Sequence, residues 1–405
     1  MKSETIIFFT LLIFISANLS AQKKVVKIVN EYEAVDKKAL QMPDSSTKTS
    51  AAIASYISNN FSTDADKARA AFIWIATNIQ YDIDNIYAIN FYEEREKKIS
   101  KALTNRKGIC ENYAALFNDV CSKCGLKSFV VEGYTMQSGF TDYIPHAWCA
   151  TMINNSWFLF DPTWGSGYIN NKKFYRKINN FYFKTQPSAL LKSHMPFDYL
   201  WQFVNYPITN QEFYEAKIQP NKSKPFFNYS DSIKAFEKQT EFEQLTNTAN
   251  RIEKNGLKNS MLFDRLQHVK MKIENIKIDI LNAEEKEKVG FYNSSIDDFN
   301  EGISSLNKFI DYRNKEFNPK KSDAEIQQML DSAENKFTNA TIHLTSIKNP
   351  GNNLTPLIPK LRQSIEDAIL HLKEQKDWLK EYFGKGKMGR KSMFRKYTWM
   401  GIPLN

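Results

Sequence analysis

The chain has 405 residues, 42% of them hydrophobic and 14% aromatic, enough apolar side chain for more than one folded core, which excludes an intrinsically disordered polypeptide. Lysine and arginine outnumber acids 55 to 45, a formal net charge of +10 that favours acidic surfaces, with a solvated basic face as the default. The four cysteines, Cys110, Cys121, Cys124 and Cys149, crowd into one 40-residue stretch, which argues against a disulfide framework stapling distant loops and for chemistry in one region.

The N-terminus reads as an export signal. Lys2 precedes an apolar run from Thr5 to Ile15, and Leu19-Ser20-Ala21 has the small-residue pattern of a cleavage site. The run is shorter than the ~20 residues a membrane helix needs, and no later segment is apolar for long enough. Residues 1–21 are therefore expected to be removed, leaving a secreted or periplasmic chain with no stable membrane span; an uncleaved anchor is the alternative. Export makes nucleic acid the least fitting acidic partner and an anionic envelope polymer a better one, so no nucleic acid is expected.

Residues 22–62 read as an N-terminal helical segment, with a short helix over Ser50 to Asn59. Asp64 is placed as the N-cap of the next helix, in which Ala68, Phe72, Ile75, Ala76 and Ile79 recur at helical spacing and which is expected to end near Tyr81-Asp82. Residues 82–99 read as loop. A turn at Arg106-Lys107-Gly108 leads into a helix from Cys110 to Cys124, apolar along Tyr113, Ala114, Phe117, Val120 and Cys121 and stopped by Gly125. Three β-like runs follow, Lys127 to Tyr134, His146 to Ile153 and Trp157 to Asp161, with Asn154-Asn155-Ser156 as the turn between the last two. Helix then antiparallel strands is the order of an α+β domain, here 63–220.

The composition shifts between Asn221 and Asp231. Beyond it charged and polar residues dominate, and an all-α region is expected over 230–383, with helices near 232–255, 258–290, 293–313, 322–348 and 356–382. Ser322-Asp323-Ala324-Glu325 has the capping-box pattern for the fourth of these. Residues 384–405 hold six basic residues, all within 384–399, and no acid and read as a flexible basic tail.

One constellation carries chemistry. A thiol attacks carbonyls as thiolate, which a helix N-terminus, a proton-accepting imidazole and a carboxylate orienting that imidazole together supply. Cys110 opens an amphipathic helix after Gly108-Ile109. His146 begins one strand and Asp161 ends the next, so a hairpin centred on Asn154-Asn155 sets them nearly opposite, within reach of an imidazole–carboxylate hydrogen bond. Separate roles for a buried thiol, a core histidine and a strand-end aspartate are the competing reading.

These residues lie in three segments, Arg106-Lys107-Gly108-Ile109-Cys110-Glu111-Asn112-Tyr113-Ala114, His146-Ala147-Trp148 and Asp161-Pro162-Thr163-Trp164-Gly165. They resemble the three signatures of the transglutaminase-like superfamily, most of all its bacterial, kyphoscoliosis-peptidase-like branch, over roughly 60–210. The resemblance implies a papain-like core with Cys110 as nucleophile, His146 as general base then acid, and Asp161 as orienter. It implies a protein or peptide substrate and no cofactor. It also implies an oxyanion donor on an upstream tryptophan, for which Trp74 is the candidate beside the Cys110 backbone N–H; Trp74 also fits plain helix packing, and Tyr81 and Tyr134 rank lower. Some members are silent binding modules, so two functions are carried forward. One is an exported cysteine-dependent amide hydrolase or acyl transferase working through a thioester on peptide-like bonds. The other is an inactive module recruiting a partner through the helical region.

Cys121-Ser122-Lys123-Cys124 has redox-motif spacing but closes a helix instead of opening one. A disulfide within it, one to Cys149, and buried free thiols all stay open. Zinc on Cys121, Cys124, Cys149 and His146 is a further alternative that would consume the histidine; no metal is expected. His194, in His194-Met195-Pro196-Phe197-Asp198, is expected to pack over the core.

Overall fold

The computed structural model describes residues 31–90, 92–137, 139–394, 396–397 and 403–404; the expected signal segment 1–21 lies outside the described residues. The chain divides into two units, up to Val269 and from Lys270 onward.

In the first unit, threonine hydroxyls start the second and third helices. Thr49 accepts from the Ala52 N–H and Thr63 from the Asp66 N–H, satisfying amides that a helix leaves unpaired. After α1 (Glu33–Leu40) come α2 (Ser50–Asn60) and α3 (Asp64–Asn78). The cap of α3 is thus Thr63, one residue before the expected Asp64. The helix also ends at Asn78, earlier than expected, because Gln80–Tyr81 (β1) pairs in parallel with Lys107–Gly108 (β2). Arg69, 1% exposed, fixes this layer: its guanidinium takes both Asp36 carboxylate oxygens at 2.6 and 2.7 Å and donates to Asn180 Oδ1 at 2.9 Å.

The expected loop at 82–99 holds part of a helix, α4 (Arg95–Asn105), which buries Lys98, Ile99, Ala102 and Leu103. Its apolar residues are few and its charge high, so packing supplies what its pattern lacks. α5 (Cys110–Lys123) follows and is buried over most of its length.

The sheet has strand order β5-β4-β3-β8, antiparallel throughout, from β3 (Ser128–Gln137), β4 (Phe140–Ile153), β5 (Ser156–Phe160) and β8 (His194–Pro196). Asn154 and Asn155 both sit at positive φ, 48° and 61°, the two left-handed positions of a tight hairpin turn. That turn sets the register Ile153↔Ser156 through Cys149↔Phe160. A two-stranded ribbon, β6 (Gly167–Asn170) and β7 (Lys173–Arg176), lies between β5 and β8 in sequence. The fold is α+β.

Short helices α6 (Pro187–Leu190) and α7 (Asn210–Tyr214) precede α8 (Tyr229–Phe236) and α9 (Glu241–Asn255). The last two were expected as one helix of the second region. Instead Thr240 caps α9 through a reciprocal bond pair with Glu243, and both helices pack in the first unit: Ile233 joins the core around Trp148 and Leu200, and Arg251 grips Asp198 at 2.7 Å.

α10 (Ser260–Asn314) is a single helix of 55 residues; the break expected near 290–293 is absent. Gly290 lowers helix propensity by ~1 kcal/mol but does not interrupt the ladder. In the second unit, α11 (Asp323–Ser346) begins at the expected box: Ser322 Oγ accepts from Glu325 N–H and Glu325 returns to Ser322 N–H at 2.8 Å. With α10 and α13 (Ile358–Gly384) it buries Phe309, Leu330, Phe337, Leu372 and Leu379, and the short α12 (Gly351–Leu354) lies between α11 and α13 in sequence. Lys387–Ser392 forms α14, and Arg390 holds Asp323 with two bonds of 2.8 and 2.7 Å, so this part of the expected flexible tail is folded. Among the described residues no helix is long and apolar enough to cross a membrane.

Candidate active site

Cys110 is the first residue of α5, where backbone N–H groups have no helical acceptor and the helix dipole is positive. Asn112 holds this end in shape: its Oδ1 accepts from Ile109 N–H at 2.9 Å and its Nδ2 donates to Lys98 O at 3.0 Å. A Cβ at Gly108 would stand 2.7 Å from Asn112 Cβ, so the turn before the cysteine needs glycine. The neighbouring Glu111 is buried and ion-paired with Lys98 at 2.6 Å.

His146 and Asp161 meet through the β4–β5 register. That register sets Asp161 beside Trp148, so His146, two residues further along the same face, reaches it diagonally. His146 Nε2 lies 2.8 Å from Asp161 Oδ2. Its Nδ1 is left for the cysteine, whose sulfur sits 4.0 Å from the carbonyl of Pro145. Cys110 and His146 line one cleft of about 740 Å³, walled by Tyr81, Trp164, Tyr168 and Tyr182. The structure therefore brings the three expected residues together.

Asp161 is fully buried and satisfied on both oxygens. Oδ1 accepts the backbone N–H groups of Thr163 and Trp164 at 2.8 and 3.0 Å. Oδ2 accepts, besides His146, the Nε2 of His194 at 3.1 Å. Burial opposes the charge on Asp161, yet His146 and His194 outweigh it and hold the carboxyl well below its usual range. Burial likewise opposes the His146 cation, but the charge and hydrogen bond of Asp161, with a contribution from Cys110, raise it to about 10. His194 moves the other way: burial, above all, keeps it below its ordinary value, hence neutral.

His194 is the residue that sequence reasoning missed. It was expected only as packing, because its partner lies 33 residues away and nothing local to the His-Met-Pro run announces it. The β3–β8 pairing, with Thr135 opposite His194, is what carries it there.

Trp74 does not line the cleft. It is 2% exposed within the helical core, with the Arg106 guanidinium 5.0 Å from its ring, so the expected oxyanion role gives way to packing. Tyr134 donates to Asn210 Oδ1 at 2.9 Å and is spent. Tyr81, ranked below Trp74, is better placed. Its pairing opposite Gly108 sets it beside the approach to Cys110. Burial, then the charges of Cys110 and Asp161, push its hydroxyl far above the ordinary value, so it stays a proton donor.

All four cysteines are buried free thiols. Cys149 and Cys124 donate to the carbonyls of Ala114 and Ala54, and burial raises Cys121 and Cys149 far above the ordinary thiol value. The Cys121, Cys124, Cys149 and His146 zinc set is not assembled. Among the described residues the group whose donor atoms gather within 4.8 Å is His146, Asp161 and His194, and in this structure those atoms hydrogen-bond to one another.

Residues 51–162 match the family model described as Transglutaminase-like superfamily. The first unit carries a transglutaminase-like domain. Human Kyphoscoliosis peptidase is 33% identical over 159 residues, which cover 37% of this chain, and Hillarin of Drosophila melanogaster is 26% identical over 205 residues, 45% of this chain. The matches span 24% of the length of each of these relatives. A solved structure titled as that of a TGase shares 20% identity over 38% of this chain and 37% of its own, with a TM-score of 0.23, too loose a superposition to carry weight. The transglutaminase-like match ends one residue past Asp161 and so includes Cys110, His146 and Asp161, but not His194.

Proposed function

We propose that this is an exported cysteine-dependent amide hydrolase or acyl transferase acting on peptide-like bonds. The observation that supports it is the cleft in which Cys110, at a helix N-terminus, faces a histidine whose far nitrogen is bonded to a buried, fully satisfied aspartate. The name of the human relative, a peptidase, agrees with a peptide bond as target.

His146 Nδ1 takes the proton of Cys110, leaving thiolate beside imidazolium, with the Asp161 carboxylate balancing the ring. The sulfur attacks the amide carbonyl carbon, and the developing oxyanion meets the Cys110 backbone N–H and the Tyr81 hydroxyl. The C–N bond breaks as His146 gives its proton to the leaving nitrogen, and a thioester remains on Cys110. Water, or a second amine, then loses a proton to His146 and attacks the thioester, which frees the thiol.

The cleft walls combine aromatic and aliphatic side chains with the polar Thr135, Gln137, Thr163 and Asn179, and Asp142 and Lys177 are the acidic and basic residues of the lining. An extended peptide segment with an apolar side chain near the scissile bond fits such walls.

The test is capture of the acyl intermediate. Full-length protein incubated with a peptide library and a labelled primary amine should carry a hydroxylamine-sensitive mass on Cys110. Labelled product would mark transfer, and its absence with cleaved peptide would mark hydrolysis. No acyl adduct in the wild type at any pH, with Cys110→Ser indistinguishable from it, would leave the inactive binding module as the better account.

A further inference from the structure

No step of the chemistry above uses His194, yet this side chain is built into the site as tightly as His146. It is 1% exposed. Its ring lies against Trp164, Trp148 and Tyr182, with centroids 4.7, 5.1 and 6.0 Å away. Strand β8 delivers it through Thr135↔His194 and Gly133↔Pro196. That approach is close: a Cβ at Gly133 would come within 2.1 Å of the Met195 carbonyl oxygen and 2.6 Å of Trp148. Ser193 Oγ lies 2.8 Å from His194 Nδ1. A hydroxyl donating there leaves the ring proton on Nε2, and Nε2 is the atom 3.1 Å from Asp161 Oδ2.

Asp161 thus accepts four hydrogen bonds, two per oxygen, which fills its lone-pair directions. Two of them come from imidazoles on the same oxygen, and one is the ring that must exchange a proton with Cys110. We propose that His194 is a positioning residue, a second imidazole donor that fixes the Asp161 carboxylate and shares its charge, so that His146 is held in line yet can give its proton back.

The chemical need is specific. A carboxylate bonded to His146 alone would stabilise imidazolium so well that proton return to the leaving nitrogen would suffer. A second donor on Oδ2 lessens that pull and prevents the carboxylate from turning. The charged and titratable groups around this pair are few. Asp161 and Cys110 act on His146, and Asp161, His146 and Asp142 act on His194. Tyr81, Tyr113, Tyr182 and Cys149 each feel the Asp161 charge, which with burial raises them, and they stay protonated.

The role of His194 rests on the proposed catalytic reading, but its test does not need turnover. The chain has five histidines, so ring ¹³C labelling of full-length Cys110→Ala protein should resolve the titration of His146, assigned with His146→Gln. In His194→Leu, which removes the donor, the His146 midpoint should rise by about one pH unit. In His194→Gln, whose amide nitrogen reaches the Nε2 position, it should return to within a few tenths. His194→Asn, whose shorter amide reaches only the Nδ1 position, supplies the donor-free comparison if the leucine variant does not fold. A midpoint unchanged or lowered by loss of the donor, or moved as far by glutamine as by leucine, would overturn the assignment. Failure of acyl capture would remove the proposed activity and leave this result standing.

Discussion

Replacing Asp161 with asparagine removes one charge and almost no volume, so it separates electrostatics from packing. The asparagine carbonyl can still accept the Thr163 and Trp164 amides, but its NH₂ group then faces two ring nitrogens that themselves donate. His146 must turn its proton onto Nδ1, the nitrogen that should accept from Cys110. The rise of His146 from 6.5 to about 10 corresponds to roughly 5 kcal/mol at about 1.4 kcal/mol per pH unit, drawn from Asp161 first and Cys110 second. Losing half of it would lower the thiolate–imidazolium population by about 10²-fold, and turnover should fall further, since the same exchange in a serine-protease triad costs about 10⁴-fold. The assay is iodoacetamide alkylation of Cys110 at pH 6, followed by intact mass, beside thermal unfolding. The variant should react about 10²-fold more slowly while still unfolding cooperatively. Alkylation at the wild-type rate would show that Asp161 does not polarise His146, and the electrostatic argument would fall.

Stability should depend on pH through the same pair. His146 is raised in the folded chain, so its contribution is complete below about pH 6.5 and is lost as pH climbs through about 10. Urea unfolding should lose a few kcal/mol across that window, and His146→Gln should flatten the slope. Asp161 is depressed, so its contribution holds above about pH 4 and fades only in stronger acid. Tyr81→Phe should slow acylation by p-nitrophenyl acetate about 10²-fold while iodoacetamide alkylation, which forms no oxyanion, is unchanged; Trp74→Phe should leave both rates alone, and equal effects from the two variants would contradict the placement of Tyr81. Gly133→Ala drives a methyl into the Met195 carbonyl and Trp148 and should cost ~3 kcal/mol in calorimetric unfolding; wild-type stability would mean that β3 and β8 can part without loss.

The site was legible where chemistry follows local order. Cys110 could be placed because the glycine turn and the apolar helix face are adjacent in the chain, and His146 with Asp161 because a two-asparagine turn sets a short-range register. The diagonal contact differs from the expected direct opposition by the two-residue step that separates residue 146 from 148. His194 was hidden because its position depends on a strand pair closed across some sixty residues of chain, from β3 to β8, and non-local pairing leaves no periodic trace. Trp74 and Tyr81 exchanged standing for a related reason. Both are large side chains of one stretch of chain, and the short parallel β1–β2 pair, two residues long on each side, sets Tyr81 rather than Trp74 in the cleft lining with Cys110. The helix Arg95–Asn105 was missed because charged residues mask four buried positions. The long helix Ser260–Asn314 was cut in expectation because glycine weakens a helix without being obliged to end it.

The central claim is that Cys110 is held as thiolate by His146. Its direct measurement is the second-order rate of Cys110 alkylation from pH 4 to 10 in the full-length chain and in His146→Ala. Rapid reaction persisting down to pH 6 in the wild type, and collapse in the variant to the profile of an ordinary thiol near 8.5, is the predicted result. Two superimposable profiles, both rising only above pH 8, would contradict it.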